Sequence, residues 1–357
     1  MTTTFRALTI IGALSLVTLG SLDPASATDT DVPTKAMKAK PVADQPFFLL
    51  IDNRVTYSYL PKGTDPGSFT IQPNGTINGK TAKQVYSFTH FDIWAYGTNF
   101  FTISMLKSDH NNPANGCVFN NGSCAGATDV YGLIRSTFGF NEIFGTKAFS
   151  VGPLRNISFE IGADAQVENI ALAPSKRDVV AGLQFAFDLP YHGFFNVAPL
   201  YYKEINHNAF VQCGFTVSPV CLSDGNTEYK GTWALETNYY MDLGFLPETI
   251  RYFSISGRAG WYGPKGPENS PLPFAPPFNI QTKTEFNSEP IRLTFDASRA
   301  FMGPKYTHLV DVWVAYRYWQ NKYGMDHTNS RICNVAPGVS NGSCTESSVY
   351  SGVTVKF

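Results

Sequence analysis

Side chains that could bind a small solute recur at every second position in several segments. Asp311, Trp313 and Arg317 have this spacing within the run HLVDVWVAYRYWQNKYG, which begins at His308. Aromatic rings provide stacking surfaces, while carboxylates, amides and guanidinium groups provide hydrogen bonds. We predict stacking by Trp94, Phe100, Tyr240, Trp313 and Trp319, and polar contacts from Asp92, Glu160, Gln184, Glu236, Arg292, Asp311 and Arg317.

Apolar and polar side chains alternate in the segments that carry these residues. In the run from His308, Val312 and Val314 share one face, and Asp311 and Trp313 share the other. The closing run SSVYSGVTVKF, which ends at Phe357, alternates in the same way. Successive strand side chains point to opposite sides. The pattern predicts the last two strands of a membrane β-barrel, with apolar faces toward lipid and polar faces toward a lumen.

Ten further segments earlier in the chain resemble strands, which gives about twelve in all. They are predicted at 47–59, 83–95, 99–107, 129–140, 156–165, 178–188, 194–205, 231–243, 250–261 and 283–296. The connections alternate between short turns and long loops. An even strand number returns both chain ends to one side, so the long loops are expected to be extracellular and the short turns periplasmic. A soluble β-sandwich also alternates, but its strands are shorter than these segments of roughly ten residues.

Six cysteines lie in three close pairs, each within one polar loop. The pairs are Cys117 with Cys124, Cys213 with Cys221, and Cys333 with Cys344. An even number of cysteines in an exported chain indicates disulfides, and local pairing is the simplest of fifteen connectivities. The spacings are too wide for a zinc knuckle, so no metal or other cofactor is expected.

The first 27 residues have the features of a signal peptide. Arg6 is followed by an apolar stretch over 7–19, and Ala25-Ser26-Ala27 matches an A-x-A cleavage pattern. A polar arm is expected over 28–45 and a barrel over 46–357. Since no other segment suits a membrane helix, a closed barrel in a Gram-negative outer membrane is the predicted architecture and location. The net charge of −1 gives no electrostatic case for nucleic-acid binding.

Other interpretations of these residues remain open. A lumen ring can simply fill a narrow barrel, and the position of Trp319 near a strand end favours an interfacial girdle. A lumen charge is more often paired with an opposite charge than in contact with solute. His90 and Asp92 share one parity, but without a G-x-S-x-G motif an enzyme is not expected.

Three segments resemble the nucleoside-specific channel-forming (Tsx-like) outer-membrane family. FDIWAYGTNFF at 91–101 is similar to its W-x-Y-G-D-N-F-F hairpin, with Thr98 in place of the aspartate. VGPLRN at 151–156 resembles its F-G-P-h-K-D motif (h, any apolar residue), and YRYWQNKYG at 316–324 resembles Y-x-Y-W-x-N-K-F-G. Phe357 is similar to the terminal aromatic residue that outer-membrane barrels present to their assembly machinery.

This resemblance implies a monomeric twelve-stranded barrel through which nucleosides diffuse. Weak binding at successive lumen positions would admit and release the solute. A base stacked on an aromatic ring gains about 1–3 kcal/mol, a suitable size for transient binding. The alternatives are a channel for another small solute, aromatic or lipophilic, and a structural or adhesive barrel. A closed pore in conductance measurements would favour the last of these.

Overall fold

The alternating segments form twelve long antiparallel strands. The computed structural model describes residues 46–110, 112, 126–170, 174–207, 226–269 and 283–357. Their β-branched and aromatic residues suit a pleated surface with two different faces. The strands are β1 (Phe48–Gly63), β2 (Thr81–Trp94), β3 (Gly97–Ser108), β4 (Thr128–Gly139), β5 (Leu154–Glu168), β6 (Ser175–Leu189), β7 (Gly193–His207), β8 (Thr232–Asp242), β9 (Phe253–Tyr262), β10 (Glu285–Asp296), β11 (Val310–Gln320) and β12 (Thr345–Lys356).

The strands close into a ring in which each pairs with its neighbours in sequence. β12 returns to β1, with Tyr59 opposite Ser351 and Arg54 opposite Lys356. Closure leaves no open sheet edge, which is what a sheet in a bilayer requires. The prediction of an antiparallel twelve-stranded barrel is confirmed. Short segments at Asn226–Tyr229 and Pro267–Asn269 extend the sheet beyond β7.

Burial follows the predicted two faces of the last strands. Val312 and Val314 on β11 are each 43% exposed on the outside, whereas Trp313 between them is 4% exposed. On β12, Val353 is exposed and Tyr350 is buried. A cationic side chain on the lipid face would cost about 2–4 kcal/mol at the bilayer midplane, which explains the sorting. The barrel is therefore built for embedding in a membrane.

The two ends of the barrel differ in their connections. The end where β1 begins and β12 ends, called the terminal end here, has two-residue and three-residue turns after β2 and β6. It also has longer links that carry α1 (Phe140–Ile143) and α2 (Ala297–Met302). The opposite loop end carries the long loops, although the link between β5 and β6 is only 169–174. The predicted alternation of short and long connections is thus only approximate.

Strand limits differ from the prediction where the backbone leaves the extended conformation. Glu248–Ile250 forms a 3₁₀ turn, so β9 starts at Phe253 rather than at position 250. His308 has a φ of +55°, which delays β11 to Val310. A positive φ is rare in residues other than glycine and cannot continue a strand. The strand period was visible in the sequence, but these local breaks were not.

Apolar side chains also line parts of the barrel interior. One cluster comprises Val180, Ala198, Leu200, Tyr202 and Ala234 on β6 to β8, and a second comprises Leu60, Trp313, Ala315 and Tyr350 on β11, β12 and β1. The interior is therefore a partly packed core with a narrow lumen. Among the described residues, no helix is both long enough and apolar enough to cross a membrane.

The chain divides after Gln45, and Pro46–Phe357 forms one unit. The predicted signal peptide at 1–27 and the arm at 28–45 lie outside the described residues, as do Cys117, Cys124, Cys213 and Cys221. The third predicted cysteine pair is confirmed, since Cys333 and Cys344 form a disulfide.

Candidate functional site: the barrel lumen

An arginine-centred ion network crosses the middle of the lumen. Arg135 on β4 donates to Asp164 Oδ1 at 2.6 Å and to Glu236 Oε1 at 2.7 Å. Glu236 lies on β8, four strands from β4 in the ring, so this ion pair spans the lumen. Glu160 lies 3.9 Å from Arg135 and accepts a hydrogen bond from Gln184 at 2.6 Å. Three predicted binding residues, Glu160, Gln184 and Glu236, therefore belong to one network.

A second arginine covers a tryptophan on the opposite wall. The guanidinium carbon of Arg292 lies 3.9 Å from the centroid of the Trp313 ring, in the geometry of a cation–π contact. Arg292 Nε also donates to Glu289 Oε1 at 2.6 Å, and Trp313 Nε1 donates to Thr354 Oγ1 at 3.0 Å. One face of the Trp313 ring is thus already covered by the Arg292 guanidinium group. A solute can stack on this face only if Arg292 moves away.

Trp319 and Arg317 face the lumen near its loop end. Trp319 Nε1 donates to Glu285 Oε1 at 2.9 Å, and Lys322 Nζ lies 4.2 Å from the centroid of the Trp319 ring. Arg317 Nε forms an ion pair with Glu346 Oε1 at 2.5 Å. The interfacial-girdle interpretation of Trp319 is therefore wrong, because its polar atom is satisfied inside the barrel.

The loop 321–344 folds into the mouth at the loop end. Tyr323 is 5% exposed and donates to Glu168 Oε1 at 2.8 Å. Glu168 ends β5, which lies half-way round the ring from β11, where this loop starts. The Cys333–Cys344 disulfide is buried beside Tyr323 and Met325. The loop therefore crosses the mouth and is anchored on the opposite wall.

The lumen near the terminal end offers an accessible aromatic and amide surface. Phe194 and Tyr240 stack with ring centroids 6.2 Å apart and planes inclined by 23°. Asn196 Nδ2 donates to Asn238 Oδ1 at 3.0 Å, and Asn238 is exposed. Phe100 on β3 also faces the lumen, because it pairs with Arg135, and it is 37% exposed. We call Phe194, Asn196, Asn238 and Tyr240 the aromatic–amide patch.

A histidine links this patch to Asp311. His308 Nδ1 lies 2.9 Å from Asp311 Oδ1, and its Nε2 lies 3.4 Å from the Tyr240 hydroxyl. The hydrogen bond to Asp311 raises the pKa of His308, assisted by the charge of Asp296 and opposed by burial. The imidazole is one wall of a cavity of about 420 Å³, which Arg299 also lines. This cavity has room for a small polar molecule.

Asp92 does not face the lumen, contrary to the prediction. It pairs with Ile51, which is 52% exposed on the outer face, and the β1–β2 register has no shift between Leu50 and Leu60. Asp92 accepts hydrogen bonds from Asn99 Nδ2 at 2.9 Å and interacts with His90 Nε2 at 3.1 Å. These partners let a carboxylate lie on the outer face close to the terminal end. The alternation was right, but the polar side chains suggested the wrong side.

Trp94 is on the outer face for the same reason. Its ring stacks on Phe47 at 5.8 Å and meets Phe138 edge-on at 5.9 Å. Tyr96 completes this aromatic group at the short turn after β2. Such a group is typical of the girdle at a membrane interface. Trp94 is therefore misplaced in the predicted stacking set, while Tyr240 and Phe100 are on the predicted face.

Comparisons with known proteins find the barrel fold but no family. No protein-family model matches the chain, and no curated protein matches it. Among solved structures, the translocator domain of the autotransporter NalP from Neisseria meningitidis is 11% identical, with 86% of this chain and 88% of that chain covered and a TM-score of 0.35. An outer membrane channel from Pseudomonas putida F1 is 10% identical, with coverage of 88% and 100% and a TM-score of 0.40.

LpxR from Salmonella typhimurium is similar to the same degree. It is 10% identical, with 85% of this chain and 100% of that chain covered and a TM-score of 0.34. Identities and TM-scores this low do not transfer an activity to the present chain. This chain is described as an outer-membrane-type barrel because its sheet is closed and has one apolar and one polar face. Membership of the nucleoside-channel family, which the sequence motifs suggest, stays a prediction.

Proposed function

We propose that this barrel is an outer-membrane channel for small polar solutes, seen with its loop end closed. The observation that carries the proposal is the charged and hydrogen-bonding wall of the lumen. Exposed polar side chains such as Asn238 and Arg258 face inward, and Arg135 spans the lumen through an ion pair. A barrel with only a structural role would gain more stability from an apolar core of the same volume.

The closed mouth is consistent with a channel whose loop opens. Loop 321–344 is held by polar contacts, including the Tyr323–Glu168 hydrogen bond and the Lys322–Glu346 ion pair at 3.1 Å. The loop also packs Met325 and Ile332 against Tyr229 in a buried apolar cluster, so opening must separate these side chains as well. Because β11 and β12 fix the two ends of the loop, opening moves the segment between them out of the mouth.

Nucleosides are the solutes that we propose for this channel. The resemblance of the sequence motifs supports this choice, and so does the chemistry of the aromatic–amide patch. Tyr240 and Phe194 offer stacking surfaces, while Asn238 and Asp242 offer partners for sugar hydroxyl groups. A nucleoside on this patch would be about to leave the barrel at its terminal end. The Arg135 network would be the narrow point that precedes it.

Uptake by proteoliposomes tests this function. Vesicles containing the purified barrel are mixed with radiolabelled uridine, and empty vesicles serve as the control. We expect uridine to enter the loaded vesicles much faster than an uncharged disaccharide of greater size. Equal entry of both solutes would retain a channel and refute the nucleoside preference. Entry no faster than into empty vesicles would refute transport of these solutes.

A further inference from the structure

Three carboxylates from different elements meet inside the loop end of the barrel. Asp65 comes from the loop after β1, Asp129 from β4 and Glu168 from β5. One oxygen of each lies within 4.8 Å of the others, and all three residues are less than one-tenth exposed. Carboxylates in such a place repel each other unless cations or protons compensate them.

The basic residues nearby compensate only part of this charge. Among the described residues, Lys83 is the only base within 4.0 Å of these carboxylates, with its Nζ at 2.6 Å from Asp65 Oδ1. Lys322 also acts on Asp129 and Glu168 from a greater distance, while its Nζ bonds to the carbonyl oxygen of Thr64 at 2.5 Å and to Glu346. With all groups ionised, the cluster and Lys83 have a formal charge of −2. Buried charges of this size are normally paired or bind a metal.

Several oxygens at the cluster have no hydrogen-bond donor. Gln166 donates to Asp129 Oδ2 and to Glu168 Oε1, but Asp129 Oδ1 and Glu168 Oε2 have no partner. Asn112 is 1% exposed and donates from Nδ2 to Asp65. The Oδ1 atom of the Asn112 side-chain amide has no hydrogen-bond partner. This amide oxygen therefore belongs to a buried residue that contacts Asp65 directly.

We propose that Asp65, Asp129, Glu168 and Asn112 bind one divalent cation, preferably Ca²⁺. All the proposed metal ligands are oxygen atoms, which favour hard cations over zinc or copper. A charge of +2 matches the formal excess, and Lys83 can keep its bond to Asp65 Oδ1. Calcium accepts six to eight oxygens in flexible geometry, so water can supply the remaining ligands.

The cation adds a link between loops that already contact one another, since Asn112 donates to Asp65 and Lys322 donates to the carbonyl oxygen of Thr64. Asp65 and Asn112 belong to the loops after β1 and β3, and Glu168 also accepts the hydrogen bond from Tyr323 in loop 321–344. The bound ion therefore stabilises the closed arrangement of the loop end. Binding of the ion does not depend on whether the barrel conducts nucleosides.

Calorimetric titration of the folded full-length barrel tests the site. The protein is stripped with EDTA in detergent and titrated with CaCl₂, and separately with MgCl₂. We expect one Ca²⁺ per chain with a Kd between about 10⁻⁵ and 10⁻³ M, and weaker binding of Mg²⁺. The midpoint of thermal unfolding should rise with Ca²⁺. Absence of binding to the folded protein at 10-fold above that range would overturn the proposal.

Conservative variants show whether these residues hold the ion. Asp129→Asn and Glu168→Gln should each weaken Ca²⁺ binding at least tenfold, and Asp65→Asn provides a loop variant if the strand variants do not fold. Asp188→Asn is the matched control, because Asp188 is exposed and its partner is Arg155. Unchanged binding in Glu168→Gln would refute the site. Stabilisation of the wild type by acid but not by Ca²⁺ would mean that protons balance the cluster instead, and would also refute it.

Discussion

Replacing Arg135 by glutamine should destabilise the barrel more than any exposed ion pair could. Arg135 is 8% exposed and bonds to both Asp164 and Glu236, with Glu160 at 3.9 Å. Glutamine removes the cation that bonds to Asp164 and Glu236 and lies beside Glu160, and leaves these carboxylates together without it. Loss of one partner of a buried ion pair costs about 3–5 kcal/mol, since the remaining charge is uncompensated. We expect the free energy of unfolding in urea to fall by about that amount.

The matched control for this prediction is Arg155→Gln. Arg155 forms an ion pair with Asp188 at 3.2 Å, but both side chains are at least half exposed. Such a pair contributes about 0–1 kcal/mol. The Arg135 variant should also make the lumen more selective for cations, measured as a shift of the reversal potential in a KCl gradient. Equal stability losses in the two variants would refute the view that Arg135 compensates buried charge across the lumen.

Three further predictions concern the mouth loop, the terminal end and the aromatic–amide patch. Replacing Cys333 and Cys344 by serine should lower the stability of the folded loop by about 2–4 kcal/mol, measured by urea unfolding, and should increase the frequency of opening. His308→Asn, which tolerates the same positive φ, removes an imidazolium whose pKa the hydrogen bond to Asp311 raises. The His308 imidazolium contributes stability to the wild type in full below a pH of about 6.5. This contribution disappears as the pH rises through the pKa of His308 in the folded protein, so the difference between the two proteins in thermal unfolding should shrink over that range. Tyr240→Ala should weaken nucleoside block of single-channel current by about 5- to 150-fold, the equivalent of 1–3 kcal/mol of stacking.

Each of these predictions has a result that contradicts it. Unchanged unfolding after loss of the disulfide would mean that it does not stabilise loop 321–344. A stability difference between His308→Asn and wild type that grows above neutral pH would reverse the assigned sign. Tyr201→Ala is the control for Tyr240, because Tyr201 is 56% exposed on the lipid side of the neighbouring strand. Equal effects of the two tyrosine variants on block would exclude a specific role for the lumen ring.

The strand period predicted most of the fold, because one face of every strand meets lipid. Val312 and Val314 were placed correctly from alternation alone, and the twelve strands were found within a few residues of their limits. Where both faces of a strand carry polar and apolar side chains, alternation does not show which face is outside the barrel. On β2, His90 and Asp92 satisfy each other on the outer face, so polarity was misleading there.

The lumen contacts were harder to predict than the strands. Arg135 and Glu236 are 101 residues apart in sequence, and only closure of the ring brings them together. Tyr323 and Glu168 are 155 residues apart, and their contact depends on how a loop folds into the mouth. Phe194 and Asn238 have the right parity in the sequence. Their depth and accessibility follow from the tilt of the sheet and from neighbouring side chains, which one strand does not encode.

The most direct test of the proposed function is single-channel current across a planar bilayer containing the purified barrel. We predict small conductance steps that nucleosides block reversibly, with weaker block by simple sugars and amino acids. Block should also be weaker in Tyr240→Ala, since the aromatic–amide patch is the proposed binding surface. Open steps that nucleosides do not alter would contradict the assignment of the solute. Correctly folded protein that never conducts, even after reduction of the Cys333–Cys344 disulfide, would contradict the channel itself.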